Sequence, residues 1–472
     1  MQNQRETTTT TAPEVQVFDH VIVGVGQAAG VLLRGLPEHD SIAVIEGHYV
    51  GGSCVNYGCT PTKTLVATAK VAHQARRAHE YGVQTGPVRI DFAAVRERMN
   101  ALRYDVRDSL ATSIEEQENA TLFRGWASFE APRTLRVGDT IIRGEHVYLD
   151  VGSTARTPDI EGLESVAWLD NVRLLDLADR PDHLVIVGGS YLGVEFAQIF
   201  VRLGSRVTLL TRGPRVASRE DDDIADAVRD VLERDGVVVE TNARVERVGL
   251  GDGGGVDVYF ERDAGEGRVS GTHLLLATGR VPNTERLALS AAGVDTDDDG
   301  AIVVDDLLRT SAEGVFAMGD VAGGAFTHTA VNDGEIVLDA LSGGPRRRSQ
   351  RIPIYAMFTD PPLGRVGLSE REALAAGHRV ERATLPMSSF ARAREMGETT
   401  GFAKLLVDAE TDMILGAAVL GVHGDEVANM LAAFMATGRS WRTFRRTVLI
   451  HPTVGEMMPW LLDALEAVDA NT

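Results

Sequence analysis

The chain has 472 residues, 44% of them hydrophobic, with 49 glycines and a formal net charge of -21. That length exceeds a single hydrophobic core and implies several domains able to bury cofactors. The acidic balance argues against a nucleic-acid partner, whose phosphates demand clustered lysine and arginine.

The opening Met1–Glu6, followed by threonines from Thr7 to Thr11, lacks the apolar core of a secretory signal. Residues 1–15 are expected to form a disordered tail. No stretch approaches the roughly 18 consecutive apolar residues of a membrane-spanning helix. No membrane contact is expected, and the cytoplasm is the expected compartment.

The first ordered signal is His20–Gly30, which reads as a buried strand, a glycine turn and the opening of a helix. Such a turn brings backbone N–H groups and a helix N-terminus to a pyrophosphate. Gly24 and Gly26 allow the turn and the close approach, and Ala29 takes the third position, where small size lets helix and strand pack. A second strand, Ser41–Glu46, ends in an acid suited to a pair of ribose hydroxyls.

Cys54 and Cys59 follow, the only cysteines of the chain, in Gly51-Gly52-Ser53-Cys54-Val55-Asn56-Tyr57-Gly58-Cys59-Thr60-Pro61-Thr62-Lys63. A lone pair this close is most economically read as a reversible dithiol. On an ideal helix, residues five apart have Cα atoms roughly 8 to 9 Å apart, beyond the ~7 Å that a bridge spans. A disulfide therefore requires a backbone that departs from a helix, which Gly58 and Pro61 permit, and a strained bridge is the more reducible kind. The competing reading is two buried apolar thiols. A zinc site lacks a second set of ligands at matching spacing.

The nucleotide pattern recurs at Leu184–Ala197, with Gly188, Gly193 and, where a middle glycine is expected, Ser190. The strand after it, Arg206–Arg212, ends in Thr211 and Arg212 instead of an acid, and Arg215 lies close behind. An acid there repels a 2′-phosphate, whereas arginine pairs with one. NADPH is thus favoured over NADH. Further on, Gly314–Val321 reads as a buried strand delivering Asp320 after Gly319, and Arg346–Arg348 as a solvated basic loop.

Together these segments resemble the flavin-dependent pyridine-nucleotide disulfide oxidoreductases, the group of glutathione reductase, dihydrolipoamide dehydrogenase and mercuric reductase. The likeness runs in order from about Phe18 to Leu462 and adds Ala277–Thr284 and His451-Pro452-Thr453-Val454-Gly455-Glu456. In Phe358–Gly367 and the final His-Pro-Thr region it is greatest to the mercuric-reductase-like members.

The resemblance implies an α/β chain with two Rossmann-like nucleotide-binding domains and a C-terminal α+β dimerisation domain. FAD would be bound by 16–156 and 279–350, NAD(P)H by 157–278, and 351–472 would form the interface of a homodimer. Cys59 would lie nearest the flavin, and Cys54 would be the outer thiol that meets the substrate. His451, oriented by Glu456, would serve the disulfide of the other subunit as acid and base. Lys63 and Glu195 resemble a buried ion pair near the flavin's reactive nitrogen, and Tyr191 matches a residue that shields flavin until nicotinamide enters. Glu46 would hold the adenine ribose and Asp320 the ribityl or pyrophosphate region, with Gly52, Ser53, Gly279 and Arg280 completing the cofactor contacts. A helix starting beside Cys59, with Lys63 in its first turn, is expected to lower thiol pKa.

Electrons are then expected to pass from NADPH through flavin and Cys54–Cys59 to a disulfide or soft-metal acceptor. The mercuric reductases of the group deliver Hg(II) through vicinal cysteines near the C-terminus. The tail Glu456–Leu465 contains none, which puts efficient mercury turnover in doubt. Met457 and Met458 are soft thioethers that either meet Cu(I) or fill an interface. Two alternatives compete: a dihydrolipoamide dehydrogenase, weakened by Thr211-Arg212, and a non-enzymatic redox sensor.

Overall fold

The computed structural model describes residues 15–468. The tail expected over 1–15 lies outside them apart from Val15. That residue is strand, paired with Ile141.

The chain divides into two compact units. One gathers the residues up to Thr60, Ala101–Thr154 and Arg280–Gln350. Its seven-stranded sheet is built on β1 (Val15–Val23), flanked in parallel by β2 (Ile42–Glu46) and by the strand Thr140–Leu149. β3 (Ala120–Arg124) extends the parallel edge beside β2. The far edge is an antiparallel meander through Thr134–Val137 and Ala127–Ala131, while Val315–Ala317 pairs in parallel with Val147–Leu149. Val21, Ile22 and Val23 are at most 3% exposed, the continuous apolar run of a strand covered on both faces. α1 (Gln27–Gly35) follows the first glycine turn at once and turns Ala28, Ala29 and Leu32 inward.

The other unit holds Pro61–Asn100, Ala155–Gly279 and Arg351–Thr472. It contains a five-stranded parallel sheet centred on His183–Val187, a three-stranded antiparallel sheet and a six-stranded antiparallel sheet. Residues 61–100 thus part from the 16–156 segment of which the sequence reading made them a piece. The reason is apolar contact: Leu65, Val95 and Met99 share one core with Leu184, Phe196 and Phe200. Hydrophobic burial, not chain continuity, assigns them.

This unit also buries charge. Lys404, 2% exposed, meets Asp221, Asp223 and Glu370 at 3.0 to 3.1 Å. Arg365, equally buried, lies 3.4 Å from Asp221 and 3.6 Å from Glu220. Burial alone would push the Asp221 carboxyl up, yet Lys404 and Arg365 outweigh it and hold that group below its ordinary 3.8.

Removing one partner of such a buried group typically costs about 3–5 kcal/mol, because the other charges stay behind unpaired. Lys404→Met should therefore lower the denaturation midpoint markedly at neutral pH. A depressed carboxylate pKa contributes stability above the unfolded value and loses it as pH falls through the folded one. The gap between wild type and Lys404→Met should accordingly narrow below about pH 4; denaturant melts across that range measure it.

Candidate active site

In the first unit β1 ends at Val23 and the chain turns at Gly24, where φ is 85°, a region that L side chains avoid. A Cβ on Gly24 would stand 2.5 Å from the Asp150 carbonyl oxygen, and one on Gly26 would stand 2.7 Å from the Asp150 carboxylate. Nothing larger than glycine fits at either place. The second glycine loop nests on the first: Gly51 N–H donates to Val25 O at 2.9 Å, and a Cβ on Gly52 would come 3.0 Å from Gly26 Cα. Glu46, closing β2, accepts the N–H groups of Val25 and His48 at 2.9 and 2.7 Å.

Opposite these loops, Asp320 accepts the Ser153 hydroxyl at 2.5 Å. Arg280 donates to the Ser153 hydroxyl and carbonyl oxygen, at 2.8 and 2.5 Å, and reaches the Ser53 hydroxyl at 3.4 Å. Gly319 N–H donates to Asp333 at 2.9 Å. Ser53, Gly319, Asp320 and Arg280, singled out from sequence, therefore share one cluster. Sequence reasoning missed Asp150, Ser153 and Asp333. Asp150 Oδ2 accepts Ala29 N–H at 2.8 Å, and burial pushes this carboxyl up to about 8, with the charges of Asp320 and Asp333 adding to the effect against the backbone N–H groups that lower it.

The cradle suits a dinucleotide diphosphate. Its glycines leave backbone exposed where any side chain would block approach, and the first turn of α1 carries no acidic residue. The amide of Asn56 pins the loop by donating to Val50 O and Gly52 O. Its buried Oδ1 has no hydrogen-bond partner among the described residues, an acceptor poised for a ligand donor.

The cysteines sit at a helix break. Cys54 lies within α2 (Gly52–Asn56), and Cys59 is the first residue of α3 (Cys59–Arg77), which carries Lys63. Tyr57 leaves the helical region at φ -141°. A Cβ on Gly58 would approach Ser53 O to 3.0 Å and Cys54 Cα to 3.5 Å, so glycine there lets the two turns close together. Pro61, in the first turn of α3, has no N–H for the Tyr57 carbonyl and so also disfavours an unbroken helix through the break. No disulfide joins Cys54 and Cys59 here. Cys59 Sγ lies 3.2 Å from the Thr327 hydroxyl, at the first residue of the helix Thr327–Leu341. No motif pointed to Thr327.

The expected lowering of thiol pKa does not extend to Cys54. Its pKa is raised, first by its hydrogen bond to Cys59, then by burial and the charge on Cys59. Two thiols this close share a proton, and the second to ionise is penalised.

In the second unit the strand His183–Val187 runs into another glycine turn. A Cβ on Gly188 would fall on the Ala277 carbonyl oxygen, and one on Gly193 would fall on that of Gly188. Ser190 is the exposed N-cap residue of the helix Tyr191–Arg202, so the middle position tolerates a side chain. Gly279 takes φ 124° and accepts Arg156 N–H at 2.9 Å. After the strand Arg206–Leu210, Thr211 is buried and Arg212 exposed. Arg215 is engaged with Asp222 and Asp226 at 2.9 and 2.7 Å. Its charge is thus already compensated.

Lys63 Nζ meets Glu195 Oε2 at 2.6 Å and lies over the Phe358 ring. Glu195 uses its other oxygen to accept Phe358 N–H at 2.8 Å. The Tyr191 hydroxyl donates to Glu220 at 2.6 Å, as does that of Tyr355 at 2.8 Å. His451, with 73% of its side chain exposed, contacts Glu456 through Nδ1 at 3.0 Å. Met458 is fully buried in the C-terminal core, and Met457 packs against it, which takes Met458 away from any metal. Among the described residues no group of three or more His, Cys, Asp or Glu side chains could hold a metal ion, and no helix is long and apolar enough to cross a membrane.

Comparison with known proteins agrees with this architecture. Residues 18–334 match the pyridine nucleotide-disulphide oxidoreductase model, and 354–462 match the dimerisation domain of the same group. The chain is 35% identical over 453 residues to the probable pyridine nucleotide-disulfide oxidoreductase RclA of Escherichia coli, spanning 93% of this chain and 98% of that one. It is 31% identical to a mercuric reductase of Bacillus cereus, over 93% of this chain and 70% of the relative. A dihydrolipoyl dehydrogenase of Halobacterium salinarum is 32% identical over 93% of this chain and 94% of the relative. The solved E. coli structure titled an HOCl-induced flavoprotein disulfide reductase superposes with a TM-score of 0.85 at 34% identity, covering 95% of this chain and 99% of that one. The chain belongs to the pyridine nucleotide-disulphide oxidoreductase family. It is a flavoprotein disulfide reductase of the FAD and NAD(P)H type, built from nucleotide-binding folds and a C-terminal dimerisation domain.

Gly58→Val should place methyl groups where Ser53 O and Cys54 Cα now stand. After mild oxidation, thiol titration of the denatured protein should find the two cysteines still free in the variant and none in wild type. The visible flavin content should change little.

Proposed function

We propose that the protein takes electrons from NADPH and delivers them through Cys54 and Cys59 to a disulfide, or to a soft metal ion reducible by thiols. The observation that carries this reading is the sulfur pair at the α2–α3 break, facing the Thr327 hydroxyl. In the domain plan, 16–156 without the 61–100 segment, together with 279–350, holds FAD, 157–278 binds the nicotinamide nucleotide, and 351–472 builds the dimer. Glu46, Asp320, Ser53 and Arg280, with Gly24, Gly26, Ala29, Gly52 and Gly319, shape the FAD site. Gly188, Ser190, Gly193 and Gly279 shape the nucleotide site.

Bound FAD supplies the two-electron switch between nicotinamide hydride and the sulfur pair. Two electrons and one proton open the Cys54–Cys59 bridge to one thiolate and one thiol. The raised pKa of Cys54 leaves the proton there and the charge on Cys59, where the Thr327 hydroxyl can donate to it. His451 of one subunit, its ring fixed by Glu456, removes the proton from Cys54 of the other subunit. Cys54 sulfur then attacks the acceptor disulfide, and the departing thiolate takes the proton from His451. Cys59 thiolate displaces the second thiolate from Cys54 and restores the bridge. Lys63 is kept in place as a fixed cation by Glu195 and Phe358, and Tyr191 would serve as the residue that shields the flavin until the nucleotide enters.

Enzyme classification of the family sets aside a non-catalytic sensor. The E. coli relative was also solved as a Cu(II) complex, which supports Cu(II) as the first metal acceptor to test beside small disulfides.

Cys54→Ser should keep its FAD and its reduction by NADPH while disulfide turnover disappears; continued turnover of small disulfides would refute the role given to Cys54. Arg212→Ala should raise the KM for NADPH by about tenfold, an ion-pair loss of about 1.4 kcal/mol, and leave NADH nearly unaffected. Arg215→Ala should do much less, because Asp222 and Asp226 already engage that guanidinium. Steady-state kinetics with both nucleotides decides between equal and unequal effects.

A further inference from the structure

The electron relay makes no use of Asp150, yet this side chain stands at the centre of the FAD cradle. It follows the strand Thr140–Leu149 and is 6% exposed. Its Oδ2 accepts Ala29 N–H at 2.8 Å, and the backbone of Ala28 also donates to it. Its carboxylate lies 2.7 Å from where a Cβ on Gly26 would be, and 3.4 Å from where one on Gly319 would be. Asp150 therefore touches both glycine turns and occupies N–H groups of α1 that would otherwise face a diphosphate.

The groups around it give no compensation. From the helix Thr327–Leu341 comes Asp333, 1% exposed and bound to Gly319 N–H. After the strand Val315–Ala317 comes Asp320, bound to Ser153. β2 contributes Glu46, held by Val25 and His48 N–H groups. The cation of the cluster, Arg280, lies 3.7 Å from Asp320 and is committed to Ser153. Among the described residues none pairs with Asp150 as a cation, and the first turn of α1 is uncharged. A buried carboxylate without a cation is cheaper to neutralise than to ionise, and a diphosphate beside it adds like charge.

We propose that Asp150 couples FAD retention to a proton: the holoenzyme carries it as the neutral acid, and loss of that proton puts a negative charge against the diphosphate and weakens binding. The inference rests on the reading that this cradle holds FAD. The balance is one proton kept on Asp150 per FAD bound, released to solvent when the group ionises. The sign follows from linkage. FAD favours the protonated form, so affinity is level below the titration of the empty cradle, at about 8, and falls above it by up to about tenfold per pH unit.

The test dilutes the holoenzyme to submicromolar concentration, equilibrates it between about pH 7.5 and about pH 9.5, and reads free FAD by fluorescence. Wild type should lose about tenfold or more in affinity across that range. Asp150→Asn, whatever its absolute affinity, should change by less than about twofold across that range. If Asp150→Asn fails to fold by circular dichroism, Asp150→Thr is scored on the same criterion. Level FAD retention in wild type overturns the proposal without recourse to a variant, and so does a wild-type slope persisting in folded Asp150→Asn or Asp150→Thr. A purified protein with no flavin absorbance at any pH would overturn the FAD reading itself, which is a separate failure.

Discussion

Backbone meets backbone at a handful of glycines, and the chemistry of the chain depends on that approach. Gly24 presses against the Asp150 backbone, Gly52 against Gly26, Gly188 against Ala277 and Gly193 against Gly188. Each contact places peptide N–H groups where a side chain would otherwise stand, and so makes a surface on which a diphosphate can lie. Gly58 applies the same device to a different end. By admitting Ser53 O and Cys54 Cα so closely, it lets a helix break and restart between two cysteines that an unbroken helix would keep apart.

Buried charge is handled in two contrasting ways. Around Lys404 and Arg365, cations outweigh the cost of burying Asp221 and keep that carboxyl ionised. Lys63 and Glu195 form a further ion pair, with a backbone N–H from Phe358 completing the carboxylate. Around Asp150 the balance is reversed, because its partners are two N–H groups and its neighbours are acids. A network of the first kind serves the fold over a wide range of pH. An isolated acid of the second kind is suited to respond to its ligand, because its protonation is undecided near the alkaline edge of the physiological range.

The parts of this arrangement that repeat were legible in the sequence. Strand, glycine turn and helix could be read at His20–Gly30 and Leu184–Ala197, because parallel strands buried on both faces are uninterrupted apolar runs and the turns demand glycine. The cysteine spacing announced a helix break, and Gly58 was the residue to suspect. Less could be read where contact joins residues distant in the chain. Nothing in the sequence of 61–100 says that Leu65 and Met99 pack with Phe196 and Phe200. Thr327, Ser153 and Asp150 carry no motif, since their importance comes from what the fold sets beside them. Arg215 shows how a local contact adds to what position suggests. Its position after the second strand suggested a phosphate ligand, but the aspartates of the next helix reach it first.

The thiol pair illustrates why composition alone misjudges reactivity. A helix start and a nearby lysine each argue for easy ionisation, and both features are present around Cys59. For Cys54 the deciding neighbour is the other sulfur. Once one of two adjacent thiols is ionised, the charge and the shared hydrogen bond hold the proton on its partner. The pair is then asymmetric before any substrate arrives, with the pKa of Cys54 raised by its neighbour. This asymmetry gives a histidine a task at Cys54 that it does not have at Cys59. On the proposed mechanism that task falls to His451, exposed and braced by Glu456 and presented by a second copy of the chain.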